Sequence, residues 1–297
     1  MQNKFTANLA LFITALIWGL SFVAQRAGME YIGPFTFNAV RTLLGGLSLI
    51  PVILFVKITR VDTRTKAVKH KQHINLERAG IACGLALFIA MTIQQYCMQY
   101  VGAGKSGFIT ALYIVFVPIL AVLYGEKLQF KIIISVFLAL TGMYVLCCKE
   151  SINFSRYDLL LLVSAFFYAV HIMVVKYYSE IVNPIKASCA QFFVVSFLSA
   201  LPMFMFETPS ISSLIACKIP LLYAGILTCG VAYTLQIYGQ KYTLPVIASL
   251  IFSTEAVFAV LGGIVILGET VTVRELTGCI LIISAVTIAN VKSKVPE

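Results

Sequence analysis

Apolar stretches of roughly twenty residues follow one another along nearly the whole chain, parted by short polar breaks. They predict helices over 8–26, 34–56, 78–100, 104–124, 131–148, 157–178, 185–206, 219–241, 244–267 and 273–291. Most have the roughly 17 to 25 residues that cross a hydrocarbon core. Barrel strands would be about ten residues long with alternating polarity, and no such alternation runs through the chain. The pattern also occurs twice. Residues 15–26, followed by Glu30 and Pro34, recur without a gap as 165–176, followed by Glu180 and Pro184. Residues 95–125, with Glu126 and Lys131 after them, recur as 238–268, with Glu269 and Arg274. Each copy holds five segments, an odd number, so the second must thread the membrane upside down. The expected fold is all-α integral membrane, with ten transmembrane helices in two inverted five-helix repeats, 1–150 and 151–297. Inverted repeats of this kind place a carrier's site between the halves near mid-membrane.

Composition agrees: of 297 residues 60% are hydrophobic and 11% charged, which leaves too little polar surface for a soluble domain. The formal charge of +10 points to topology rather than nucleic acid once its distribution is followed. Lys57, Arg60, Arg64, Lys66, Lys69, Lys71 and Arg78 crowd the break between the second and third helices. With the N-terminus inside, Lys4, Lys127, Lys131, Lys176, Lys186, Lys241, Lys292 and Lys294 join them. The outer face keeps only Arg26, Lys105, Lys149, Arg156, Lys218 and Arg274. Positive charge concentrated on one side sets both termini in the cytoplasm of a multi-pass cell (inner) membrane protein. Contact with anionic lipid is compatible with that cluster.

Cys83, Cys97, Cys147, Cys148, Cys189, Cys217, Cys229 and Cys279 lie mostly in apolar helices without a C-x-x-C pair or a Cys/His cluster. Neither a metal nor a disulfide framework is indicated, and no cofactor. The first apolar segment lacks a small-residue cleavage site and reads as a retained helix. Gly102, Gly104, Lys105 and Ser106 mimic the end of a phosphate-binding loop, but Gln99 stands where its first glycine belongs and no strand precedes it. Prolines open helices at Pro34, Pro184, Pro220 and Pro245, where a missing N–H is tolerated. Pro51, Pro118 and Pro202 fall inside helices and should kink them or free carbonyls.

Ala15, Trp18, Gly19, Ser21, Phe22 and Ala24, then Pro34 and Arg41, resemble the opening of an EamA-type repeat of the drug/metabolite transporter superfamily. Gln240, Pro245 and Ser249, followed by Glu255, Ala256, Val257, Phe258, Leu267, Gly268 and Glu269, resemble its later part. The resemblance runs over nearly the whole chain in two copies. It departs at Ala256, where the family often has proline, and at Leu112, which stands opposite Glu255 in the first copy. It implies a transporter, with helices one, three, four, six, eight and nine lining a central cavity and the fifth helix of each half packing outside. It also implies export.

Ionisable groups within hydrocarbon normally face a bundle interior or water. Arg41, His171 and Glu255 are the three that fall well within the hydrocarbon; at 1.5 Å per residue Glu255 lies within roughly 3 Å of mid-membrane. Arg41 lies roughly 6 Å toward the outside and His171 roughly 5 Å toward the inside. Glu255 either holds a cationic substrate group or a coupling proton, or locks two helices by bonding to Ser or Thr. Arg41 either binds an anionic group or satisfies free carbonyls; its counterpart in the second copy is Gln191. His171 is either a proton relay or a packed, satisfied residue. Trp18, Ser21, Gln25, Gln94, Gln95, Tyr113, Tyr168, Tyr233 and Gln236 complete the expected lining, with Gln99 and Tyr238 nearby. Gln94 and Gln95 are adjacent, so only one can point at a cavity centre. Amides with aromatic walls suit small zwitterionic or amphipathic metabolites, or else simply join helices. Glu126 and Glu269, each after a glycine at a helix end, are candidate gates on opposite faces, hydrated or paired with Lys131 or Arg274.

The expected function is secondary transport of small organic metabolites, amino acids or amphipathic compounds, by alternating access, with a proton as one coupling option. No catalytic residue is expected. The rival is a channel-like or lipid-translocating protein without alternating access. The expected partners are substrate and bilayer, with a homodimer left open.

Overall fold

The computed structural model describes residues 2–59, 66–101, 103–147, 155–267 and 272–291. Among them every regular element is helical: α1 (Gln2–Gly28), α2 (Pro34–Thr59), α3 (Lys66–Cys97), α4 (Ala103–Thr110), α5 (Tyr113–Leu123), α6 (Phe130–Cys147) and α7 (Arg156–Ser179). The chain continues through α8 (Pro184–Phe206), α9 (Ile211–Ala216), α10 (Lys218–Leu222), a π-helical stretch (Tyr223–Ala232), α11 (Tyr233–Tyr242), α12 (Pro245–Phe252), α13 (Glu255–Leu267) and α14 (Val273–Asn290). Among the described residues nine stretches are long and apolar enough to cross a membrane, and Phe130–Leu146 is a shorter apolar tenth. This is an all-α, multi-pass membrane protein. Large side chains such as Phe55, Phe137, Phe197 and Phe204 point outward, as expected of a surface bathed in lipid.

The helices depart from expectation at five places. The basic break after Lys57 is shorter than expected, because α3 already begins at Lys66; there His73 and Glu77 face each other one turn apart at 3.3 Å. The fourth crossing is interrupted at Ala111 and Leu112, and the ninth at Ser253 and Thr254, nearly the same point of each copy. Hydrocarbon supplies no water to a broken helix, so the chain bridges each gap itself. Leu112 and Ile114 donate to the carbonyls of Ile109 and Ala111 at 3.1 and 3.0 Å, and Thr254 and Ala256 to those of Ile251 and Ser253 at 3.1 and 3.3 Å. These are tight i→i+3 turns. The Ser253 and Thr254 hydroxyls add bonds to the carbonyls of Leu250 and Ile251, both 2.6 Å. Proline is not the shared cause, since Pro118 lies inside α5 and the second copy has Leu261 in its place. The eighth crossing contains the π-helical stretch, and α9 is an extra short helix that was not expected.

Helices pair most extensively with partners from the other repeat. α6 lies antiparallel to α14: Lys131 Nζ donates to the Val291 carbonyl (2.6 Å) and Arg274 Nε to that of Val145 (2.7 Å). α3 runs antiparallel to α7, with the Tyr100 and Tyr157 rings stacked at 4.2 Å and Ser164 Oγ bonded to the Ala90 carbonyl at 2.8 Å. α1 runs antiparallel to α11, with Thr243 Oγ1 donating to Asn8 Oδ1 (3.3 Å) and Thr14 Oγ1 to the Ala232 carbonyl (3.0 Å). α2 meets α8 where Glu207, just past α8, accepts from the backbone N–H of Phe35 (3.0 Å) and Thr36 (2.7 Å) in the first turn of α2. These pairings put the C-terminal ends of α1 and α3 at one face of the bundle, and those of α7 and α11 at the other. The faces are named below by Arg26 and Lys176, the basic residues near the ends of α1 and α7.

Where α6 crosses α14 there is no room for side chains. A Cβ on Gly142 would sit 2.8 Å from the Gly278 carbonyl oxygen, and one on Gly278 would sit 2.7 Å from that of Gly142. Gly142→Val or Gly278→Val is therefore expected to destabilise the fold by about 1–3 kcal/mol through overpacking. Thermal unfolding in detergent checks this, and an unchanged melting temperature in both variants would rule out the crossing.

Candidate functional site

The site lies where the two broken crossings meet α1, α2, α3, α7 and the π-helical stretch. A cavity of about 50 Å³ is lined by Trp18, Ser21, Phe22, Gln25, Arg41, Met91, Gln94, Thr110, Tyr113, Tyr168, Thr228, Tyr233 and Glu255. That volume holds a few waters, well short of the roughly 300 Å³ of an ordinary small-molecule pocket. In this conformation the site is contracted.

Many of the lining side chains hold one another in place. Gln94 accepts from the Tyr168 hydroxyl at 2.8 Å and donates to Thr110 Oγ1 at 3.2 Å, fixing α3, α4 and α7 together. Gln25 donates to Ser21 Oγ at 3.2 Å, one turn back on α1. Trp18 packs on Tyr233 and Phe252, with ring centroids 4.8 and 5.1 Å away. Tyr113 stands at the start of α5, and its hydroxyl reaches Glu255 Oε1 at 3.4 Å. Glu255 itself is the first residue of α13, directly after the bridged break at Ser253 and Thr254. Gly19 makes that placement possible, because any Cβ there would overlap the Glu255 carbonyl oxygen and approach Phe258 Cβ to 2.9 Å.

The charges are the unusual part. Arg41 is 2% exposed and Glu255 7% exposed, yet no ion pair joins them among the described residues. The Arg41 guanidinium lies 5.3 Å from the Phe37 ring, within cation–π range, and its Nε has no hydrogen-bond partner. Trp18 Nε1, Thr228 Oγ1 and Gln25 Oε1 also end in the cavity wall without partners. The cavity thus combines a cation, a carboxylate, two free donors and a free acceptor inside an aromatic wall.

Trp18, Ser21, Gln25, Arg41, Gln94, Tyr113, Tyr168, Tyr233 and Glu255, singled out from sequence, come together here. Gln95, His171 and Gln236 do not. Gln95 is buried but turned away, leaving its neighbour Gln94 to face the cavity. His171 Nε2 is spent on Gln191 Oε1 at 3.1 Å, and only its ring edge touches the site, 5.8 Å from the Tyr233 centroid. Gln236 donates to Gln240 Oε1 at 2.9 Å, and Gln240 in turn to the Ile172 carbonyl at 2.9 Å. Gln99 is exposed, and Tyr238 packs on Tyr242. Glu126 is half-buried beyond Gly125, whose φ of +89° suits glycine, but the expected partner Lys131 bonds to Val291 instead. Glu269 lies outside the described residues, as does most of the expected boundary between the repeats. Phe22, Met91, Thr110 and Thr228 were not anticipated. Phe22, within the segment that resembles the family, and Thr228, a hydroxyl between Gly225 and Gly230, carried a sequence signal.

Known proteins resemble this chain over nearly its whole length. The model of the EamA-like transporter family matches residues 5–148 and again residues 155–291. A protein of Archaeoglobus fulgidus named an uncharacterized transporter is 30% identical over 291 residues, covering 98% of this chain and 87% of its own length. The uncharacterized transporter YoaV of Bacillus subtilis is 24% identical over 281 residues, covering 92% and 93%. A solved structure, described only as "Crystal structure of protein", superposes with a TM-score of 0.78 over 97% of both chains at 19% identity, which bears on the fold alone.

Because Gly19 is in contact with the first turn of α13, Gly19→Ala is expected to lower stability by about 1–3 kcal/mol. Tyr113→Phe, which removes one long hydrogen bond, should cost less than about 1 kcal/mol. Melting curves of both variants test that order, and equal effects would contradict it.

Proposed function

We propose that this chain, which belongs to the EamA-like transporter family, is a secondary carrier that moves small zwitterionic metabolites across the cell membrane by alternating access. The observation that carries the reading is the pair of unmatched charges, Arg41 and Glu255, facing one contracted cavity between the two repeats. A guanidinium offers a planar fork to a carboxylate, and Glu255 offers a counter-charge to an ammonium group. A free amino acid carries both, and its side chain would meet Trp18, Tyr168 and Tyr233. Broken helices at mid-membrane belong to the same design, since their ends line sites in other carriers. The distribution of basic residues supports a cytoplasmic location for both termini, with the Arg26 face outside. The family resemblance supports export as the direction, and Glu255 is the group able to carry a coupling proton.

Proteoliposome counterflow with a panel of amino acids tests the proposal. Labelled uptake should rise when unlabelled amino acid is present on the far side, as a carrier requires and a channel or scramblase does not show. Glu255→Gln should lower exchange about tenfold or more, equivalent to about 1.4 kcal/mol of barrier, with little change in melting temperature. Normal exchange in that variant would remove Glu255 from the mechanism, and absence of trans-stimulation for every compound would count against a carrier.

A further inference from the structure

Two side-chain contacts at opposite faces of the bundle are the same contact, made once by each repeat. At one face Arg26, near the end of α1, donates from Nη1 to the carbonyl of Met98 just past the end of α3, at 3.2 Å. At the other, Lys176, near the end of α7, donates from Nζ to the carbonyl of Lys241 in the last turn of α11, at 3.3 Å. The register that matches 15–26 with 165–176 equates Arg26 with Lys176, and the register that matches 95–125 with 238–268 equates Met98 with Lys241. Each contact also crosses the same kind of seam. α1 packs along α11 and α3 along α7, so α1–α3 and α7–α11 are the seams between these two helix pairs.

The cavity sits off-centre between the two contacts. Its α1 residues, Trp18, Ser21, Phe22 and Gln25, lead toward Arg26, and Gln94 is one turn from Met98. On that side the seam is crossed by the Arg26 bond to Met98, beyond which Gln99 and Tyr100 are exposed. Toward the Lys176 face the seam is stitched more deeply. The buried Gln240 side chain bonds to the Ile172 carbonyl, Gln236 bonds to Gln240, and Lys176 closes the end. The bond to Gln240 in this seam also withdraws Gln236 from the cavity.

We infer that Arg26 and Lys176 are repeat-related gate latches, one for each face, and that the Lys176 gate is the more firmly closed of the two in this conformation. The inference rests on the carrier reading above and adds to it the residues that govern which face opens. A cation is suited to the task, since the last carbonyls of a helix have no partner within it and carry its negative end. Such a bond forms as two helix ends approach and is exchanged for water as they part, so it holds a gate without welding it.

The test uses the full-length chain without substrate, in membrane vesicles of both orientations. All native cysteines are replaced, Ser21→Cys reports on the cavity, and Tyr31→Cys in a parallel sample marks the Arg26 face. The probe is a membrane-impermeant maleimide. Arg26→Met should raise labelling of the reporter from the Arg26 face about threefold or more, the factor one interhelical hydrogen bond represents. Lys176→Met should raise labelling from the Lys176 face and lower it from the other. Arg26→Lys and Lys176→Arg, which keep a donor, should preserve the parent pattern and show that the chain folds with either cation. Glu180→Gln should also leave it unchanged, since the 2.9 Å pair with Lys176 lies within one helix end and crosses no seam. If both Met variants change labelling from the same face, or neither changes it, the latches are refuted while the carrier reading survives. If the parent labels equally from both faces, the carrier reading fails together with them.

Discussion

Hydrocarbon offers no hydrogen bonds, and that one constraint arranges most of this molecule. The last carbonyls of every helix lack a partner inside the helix, and near a bilayer they must find one in the protein or at the interface. Four are met by basic side chains from other helices: Arg26 on Met98, Lys176 on Lys241, Lys131 on Val291 and Arg274 on Val145. The donors form two repeat-related pairs, Arg26 with Lys176 and Lys131 with Arg274, and in the first the acceptors match as well. The first pair crosses the seams beside the cavity; the second ties α6 to α14 at both ends of a glycine-lined crossing. On the latch reading, the same chemistry serves a movable joint and a fixed one, and what separates them is the packing between their ends. α6 and α14 are in backbone contact at mid-length, whereas α1 and α3 are parted by the cavity.

Repeat order, helix number and the odd-segment inversion were legible in sequence because they are properties of spacing. A constant register survives any side-chain rearrangement. The helix breaks were not legible, because they depend on hydroxyls choosing a carbonyl three residues back, as Ser253 and Thr254 do, and most serines and threonines in apolar helices make such bonds without a break. Arg41 and Glu255 could be found because an ionisable residue in an apolar run is conspicuous. Gln236 and His171 were misjudged for the opposite reason. Their depth and polarity suited the cavity, but each donates to or accepts from another side chain, Gln240 one turn on along the same helix or Gln191 on a neighbouring one, and is turned aside. The pairing of His171 with Gln191 cannot be read from one segment alone.

The gates had been sought among carboxylates after glycines, Glu126 and Glu269, because those recur conspicuously in the two copies. The contact that recurs across the seams is between a basic side chain and a backbone carbonyl. Half of it leaves no trace in the amino-acid code, since every residue has a carbonyl. Only the register of both repeats, applied to donor and acceptor together, identifies Arg26–Met98 and Lys176–Lys241 as one device.

Symmetry in this chain is therefore unevenly distributed, and the unevenness has a functional logic. Opening toward either side needs equivalent hinges and closures, and the repeats keep those alike. Ser164 and Thr14 occupy matching positions and both bond across to the facing helix. On the carrier reading, the cavity has no such obligation, because one substrate would be bound once between the two halves. There the copies diverge: Arg41 against Gln191, Glu255 against Leu112, Trp18 against Tyr168. Each half thus brings one charge of opposite sign to a shared space. An occupant with a matching pair of charges would bridge the halves, and by drawing Arg41 and Glu255 toward itself it would couple binding to the closure that passes it from one face to the other.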